Sequence, residues 1–133
     1  MRVMREAVGA GGLTENLKKG VTEMLVLNLL DIRPMTIHEI LKLLDERSEG
    51  ICKITYPYAI IYRLTNSKLI KDHGKEVSDN RLRAYYEITE AGRKHLAQMR
   101  SEYTAFTEGV NHMLDTLAED NKAAESAKKS KKK

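Results

Sequence analysis

Leu96, Met99, Tyr103, Phe106, Val110, Met113 and Leu117 follow one another at steps of 3, 4, 3, 4, 3 and 4. That alternation is a heptad seam, and it dictates one long helix. The seam is narrower than the stripe with which a helix covers a globular core, so it calls for a second long helix beside it. No other segment of the 133 residues is long enough to serve. A second copy of the chain is the economical partner, and a homodimer through these seven residues is expected. Packing within one chain is the alternative.

Upstream of the seam the apolar period changes twice. Residues 1–13, with Gly9, Gly11 and Gly12, are expected to be a flexible arm. Thr14 and Glu15 suit the start of a helix that carries Leu17, Val21, Met24, Leu25, Leu27 and Leu29 on more than one face. Pro34 disfavours helix at Arg33, so this helix should stop near Asp31. A second helix begins at Thr36, whose spacing to Glu39 predicts a capping box in which each side chain bonds the other's backbone N–H. Ile37, Ile40, Leu41 and Leu44 recur at the helical period, and Gly50 is the expected stop. A third helix is expected from Thr55 as cap, with Pro57 in the first turn. Its core face is Pro57, Ile60, Ile61 and Leu64. The opposite face carries Tyr58, Tyr62, Arg63 and Asn66 and no carboxylate.

Between Lys68 and Ile88 the period falls to two. "LIKDH", a turn in "GKEVSDN" and "RLRAYYEI" predict a hairpin. In the second strand Leu82, Ala84, Tyr86 and Ile88 should face one way, with Leu82, Tyr86 and Ile88 anchoring the strand to the core. Arg81, Arg83, Tyr85 and Glu87 should face the other. Thr89 then caps the long helix. After Asp120 the apolar pattern dissolves into "NKAAESAKKSKKK", expected to be disordered.

Three helices, a hairpin and a long helix make a mainly α fold with a small β-hairpin wing: a winged helix-turn-helix with a C-terminal dimerisation helix. The expected divisions are an arm (1–13), the winged-helix domain (14–93), the dimerisation helix (94–120) and the lysine-rich tail (121–133). Such a fold sets its third helix in the major groove of double-stranded DNA and its wing against the adjacent backbone. Charge agrees locally. The chain carries +4 overall, but six lysines and one glutamate in residues 122–133 leave the other 121 residues at −1. Within residues 53–83 seven cations face three anions, giving +4 in the region turned to DNA, and +8 in a dimer. The expected DNA-binding set is Thr55, Tyr56, Tyr58, Tyr62, Arg63 and Asn66 at the third helix, with Lys75, Arg81, Arg83 and Tyr85 on the wing. Tyr58, Arg81 and Arg83 suit phosphates, and Tyr62, Arg63 and Asn66 suit base edges. A face that docks a protein, or a tail that coats DNA without sequence preference, are the competing readings.

Other chemistries find no support. Cys52 is the single cysteine, which excludes an intrachain disulfide and fits a reducing compartment. No apolar run approaches the ~18 residues of a membrane span, and "MRVMREAVGAGG" does not read as a signal peptide. A cytoplasmic protein is expected. His38, His73, His95 and His112 lack metal-ligand spacing. No nucleophile–base set or paired-carboxylate motif stands out, and "VGAGG" does not follow a strand. Neither an enzyme nor a cofactor or metal site is expected.

The stretches "KKGVTEMLVLNLL", "EILKLL", "YPYAIIYRLTNSKLI" and "RLRAYYEITEAGRKHL" resemble the PadR family of bacterial transcriptional regulators, from about Leu17 to Leu96. The last stretch is the most specific, because Arg83, Tyr85, Tyr86, Ile88, Thr89 and Gly92 fit the family's wing-closing pattern. The resemblance implies a dimeric, repressor-like DNA binder of the short type with a single C-terminal helix. It implies that Tyr58 contacts the DNA backbone and that Arg63 is a basic contact on the same helix. It also implies a small aromatic or lipophilic effector at the dimer interface. With no tryptophan in the chain, Tyr103, Phe106 and methionines would hold it. The chain departs from the family at Ile37-His38 in place of Gly-Tyr, at Lys68 in place of Gly, and at Thr55 and Tyr56 in place of a glycine. It has Ala59 where proline is common, and proline at Pro57. These departures bear on which DNA sequence is read.

Overall fold

Helix α1 (Gly12–Ile32) buries Thr22, Met24, Val26, Leu27 and Leu30, which is why its sequence is apolar on more than one face. The computed structural model describes residues 12–78 and 80–131. The expected arm lies outside them as far as residue 11, while Gly12 and Leu13 are already helical, ahead of Thr14. Helix α2 (Ile37–Arg47) turns Ile40 and Leu44 inward, and helix α3 (Tyr58–Asn66) turns Ile61 and Leu64 inward. Strands β1 (Ile70–Ser78) and β2 (Arg81–Ile88) form one antiparallel hairpin, and helix α4 runs Glu90–Lys131. The chain divides into two compact units, one ending at Ala97 and one starting at Gln98. The first holds the core: the α1 residues with Met35, Ile40, Leu44, Ile61, Leu64, Ile70, Ile88 and Leu96. This is the expected winged architecture.

The helix ends are set by local chemistry. At α2 the Thr36 hydroxyl accepts from Glu39 N–H at 3.1 Å, as the capping box requires. The reciprocal bond is replaced. The Glu39 carboxylate takes Arg33 Nη1 at 2.5 Å and the Thr36 hydroxyl at 3.4 Å. At α3 the cap is Pro57, with no side-chain bond, and Thr55 lies outside the helix. The ring already fixes helical φ at Pro57, −79°, and its carbonyl accepts the first helical bond, from Ile61. Both α2 and α3 end in Schellman turns. Gly50 N–H reaches the Asp45 carbonyl, and Leu69 N–H reaches the Leu64 carbonyl. The left-handed residues that glycine usually fills are Glu49 (φ 54°) and Lys68 (φ 61°).

The hairpin is longer than its sequence predicts. Strand β1 runs on through "GKEVS", and the chain reverses only between Ser78 and Arg81, with Asn80 at φ 62°. Gly74 reads as a turn residue but belongs to a bulge between Asp72 and Gly74. There its φ is 121° and its N–H is held by Asp72 Oδ1 at 2.8 Å. The extra length carries the tip away from the core. Leu82, expected to anchor the strand, is 67% exposed, as is its cross-strand neighbour Val77 at 74%. Ile88 is buried and Tyr86 half-buried, so the anchor is the base of the wing. Tyr86 also exchanges both backbone bonds with Met35, at 3.1 and 2.9 Å, which ties the α1–α2 linker to the wing.

Helix α4 leaves from that base through a tight joint. The Thr89 hydroxyl donates to the Lys68 carbonyl at 2.7 Å, with the Leu69 carbonyl at 3.1 Å, and accepts from Gly92 N–H at 3.0 Å. Two expectations for α4 are corrected. Leu96, placed in the dimer seam, is 3% exposed within the first unit and belongs to its core. Residues 121–131, expected to be disordered, continue the helix. They contain no glycine or proline and are rich in alanine, glutamate and lysine, which all favour helix.

Candidate nucleic-acid interface

Helix α3 presents its polar face to solvent because Pro57, Ile61 and Leu64 take the buried side. Tyr56, Tyr58 and Tyr62 are two-thirds or more exposed, and Thr55 and Asn66 are exposed beside them. These tyrosines offer an apolar ring with a hydrogen-bonding tip to whatever covers the face. Arg63 differs from its neighbours. Its Nε donates to Glu23 Oε1 of α1 at 2.8 Å, and its Nη2 lies 2.7 Å from the same oxygen in an ion pair. The face that reads as free of carboxylates within α3 is therefore bordered by one from α1.

On the wing, Lys75 and Arg81 are exposed, while Arg83 and Tyr85 are half-buried. Arg83 faces Glu76 across the hairpin in register. Its Nε is buried and has no hydrogen-bond partner. Arg83 lines a cavity of about 330 Å³ with Thr36, Ile37 and His38 at the start of α2, Tyr58 at the start of α3, and Tyr86. The fold thus brings together two of the expected phosphate ligands, Tyr58 and Arg83, from segments far apart in sequence. Arg83 shares this cavity with Ala84 and Tyr86, so strict alternation along β2 does not separate their surroundings. Arg81 stands near the tip and does not line it. A second concavity, lined by Tyr58, Tyr62, Thr65, Asp72 and Tyr86, lies between α3 and the hairpin.

The outer side of the wing holds an ionic cluster that alternation alone does not reveal. Glu87 accepts from Lys71 Nζ at 3.3 Å, and its other oxygen lies 2.7 Å from His73 Nδ1. The His73 hydrogen bond, and then that of Lys71, hold the Glu87 carboxyl below its usual value. His73 reaches Glu87 because it sits at the bulge. Of the residues near the interface, Glu23 and His38 were missing from the sequence-derived set. Glu23 is forty residues from its partner, and His38 becomes noticeable only once Arg83 lies beside it. Among the described residues no group of three or more His, Cys, Asp or Glu could hold a metal ion, and no helix is long and apolar enough to cross a membrane.

Three helices, a two-stranded wing and the cations beside them define a winged-helix protein. The sequence profile described as the transcriptional regulator PadR-like family matches residues 26–98, more than half of the chain, and the chain belongs to that family. It is a DNA-binding transcriptional regulator, not an enzyme. Solved structures agree on the fold. A PadR-like transcriptional regulator from Bacillus cereus is 25% identical, with a TM-score of 0.66 over 74% of this chain and 96% of its own. A transcriptional regulator from Clostridium thermocellum is 23% identical, with a TM-score of 0.65 over 72% of this chain and 95% of its own. A PadR family regulator from Clostridium difficile is 22% identical, with a TM-score of 0.61 over 71% and 98%. No curated protein matches the chain.

Proposed function

We propose that the protein is a cytoplasmic homodimeric repressor that binds an inverted-repeat operator, with α3 in the major groove and the wing on the backbone. The observation that carries this reading is the exposed face of α3 with Arg83 of the wing beside its first residue. Tyr58, Tyr62 and Asn66 stand in solvent on α3, and Tyr58 shares a cavity with Arg83, whose buried Nε lacks a partner. Tyr58, Arg81 and Arg83 hold phosphates, and Tyr62, Arg63 and Asn66 read base edges, with Thr55, Tyr56, Lys75 and Tyr85 around them. The dimer forms through the exposed stripe Tyr103, Phe106, Val110, Met113 and Leu117, with half-buried Met99 at its start. Leu114, exposed beside them, widens the stripe. Two-fold symmetry makes the operator an inverted repeat, with half-sites about one helical turn, ~10 bp, apart. A small aromatic or lipophilic effector would bind at that interface, against Tyr103, Phe106 and the methionines.

The test is titration of a selected operator and a random duplex at two salt concentrations. Arg83→Ala should weaken both and reduce the salt slope by about 1, the share of a single phosphate. Asn66→Ala should cost ~1–3 kcal/mol on the operator and much less on random DNA. Unchanged affinity in both variants would make the face a protein-docking surface instead.

A further inference from the structure

Arg63 is the only arginine of α3, and its guanidinium is engaged before any DNA arrives. Both contacts of Arg63, the Nε hydrogen bond at 2.8 Å and the Nη2 ion pair at 2.7 Å, end on one oxygen of Glu23. A guanidinium is a rigid plane with five N–H donors arranged in two forks. The side fork is Nε with Nη2, and the end fork is Nη1 with Nη2. Glu23 occupies the side fork. The end fork keeps two parallel N–H groups, and the arginine side chain is 61% exposed.

Two parallel donors match one base edge in the major groove. Guanine offers two acceptors there, O6 and N7, whereas adenine offers one acceptor and one donor. We propose that Glu23 is a positioning residue that fixes Arg63 so that its end fork reads a guanine in each operator half-site. The proposal rests on the DNA-binding reading above. An unrestrained arginine loses rotamer freedom when it docks on a base, while one clamped on folding has lost much of it already. The Glu23 carboxylate also repels phosphates near the groove, which lowers affinity for every duplex alike. The positioning of Arg63 then raises the ratio of specific to random affinity. A half-exposed ion pair contributes little to folding, so recognition can change while stability does not.

The experiment selects bound duplexes from a random pool with the full chain as wild type, Arg63→Ala, Glu23→Ala and Glu23→Gln, alongside thermal melting of each. The wild type is expected to enrich a guanine in each half-site that Arg63→Ala no longer selects. Glu23→Ala should relax that same position, lowering its preference roughly 5- to 100-fold. It should leave the other positions and the melting temperature unchanged and bind random duplex at least as well as wild type. Glu23→Gln keeps an oxygen acceptor for both N–H groups and should restore the guanine. Equal losses in Glu23→Ala and Glu23→Gln overturn positioning by hydrogen bonds. Full retention of the guanine by Glu23→Ala overturns the role of Glu23, and retention by Arg63→Ala overturns the arginine–guanine pairing itself. If the wild type enriches no sequence, the DNA reading fails and this inference falls with it. That result is distinct from a failure confined to the variants.

Discussion

Gly92 has no room for a side chain. A Cβ placed on it would lie 2.1 Å from the Leu69 carbonyl oxygen and 2.6 Å from Ile88 Cγ1. The first obstacle is backbone at the start of the wing, so it cannot swing aside as a flexible side chain would. Gly92→Ala should destabilise the protein by about 2–3 kcal/mol in urea or thermal unfolding, although alanine is the better helix former. The sequence motif singles out Gly92, but its reason appears only where Leu69, twenty-three residues away, lies against it. The same holds for Glu23. Nothing local distinguishes it from any other helical glutamate until α1 and α3 are side by side. Thr36 and Thr89 were legible because a cap is made with neighbours in sequence. Thr55 does not cap α3, because Pro57, two residues on, fixes a helical backbone by itself and takes the cap position.

At the scale of elements, the hairpin's existence was legible and its length was not. Glycine and asparagine in "GKEVSDN" fit a broad turn equally well, and only the pairing shows that Gly74 serves a bulge while Asn80 serves the reversal. Alternation in β2 likewise assumes a core under the whole strand, which ends before Leu82. The bulge supplies a pH-dependent element of the wing. Because Glu87's carboxyl is depressed by His73 and then Lys71, its contribution is present above its unfolded value near 4.5 and is lost as pH falls through the lower folded one. Melting of wild type and Glu87→Gln should therefore differ more at neutral pH than in acid, and converge as pH falls through the folded value. Helix α4 carries its own prediction. Phe106, 67% exposed in a single chain, should be covered in a dimer. Phe106→Asp should then convert dimer to monomer by light scattering, because it buries an unpaired charge. A wild type that runs as a monomer at micromolar concentration would refute the seam as an interface. Leu96 shows why the heptad count overran. The first turns of α4 still serve the winged-helix core, and a period alone does not say which surface a helix faces.

Over the whole molecule, positive charge is concentrated at the C-terminal end, with +5 in residues 122–133 and −1 elsewhere. Residues 121–128 are all exposed, so no core depends on them. Deleting residues 122–133 should leave the melting temperature and the oligomeric state unchanged. It should also weaken binding to random DNA, with the salt slope flattening by up to about 0.9 for each phosphate that a deleted lysine had neutralised. A clear drop in melting temperature would mean that this end supports the fold. The fold class itself was legible throughout, because winged-helix order follows from three helical periods and one strand period. Arrangements fixed by distant pairs were not. The Met35–Tyr86 exchange is one of these, and it governs how the chain can change in length. Arg33 binds the Pro34 carbonyl and Glu39, Met35 spends both backbone groups on the wing, and Thr36 caps α2. Every residue between α1 and α2 thus has a fixed place, and one inserted residue would unseat a cap or a strand bridge. The fold tolerates a reporter group or epitope better beside exposed Asn80, where the neighbouring Val77 and Leu82 already stand clear of the core.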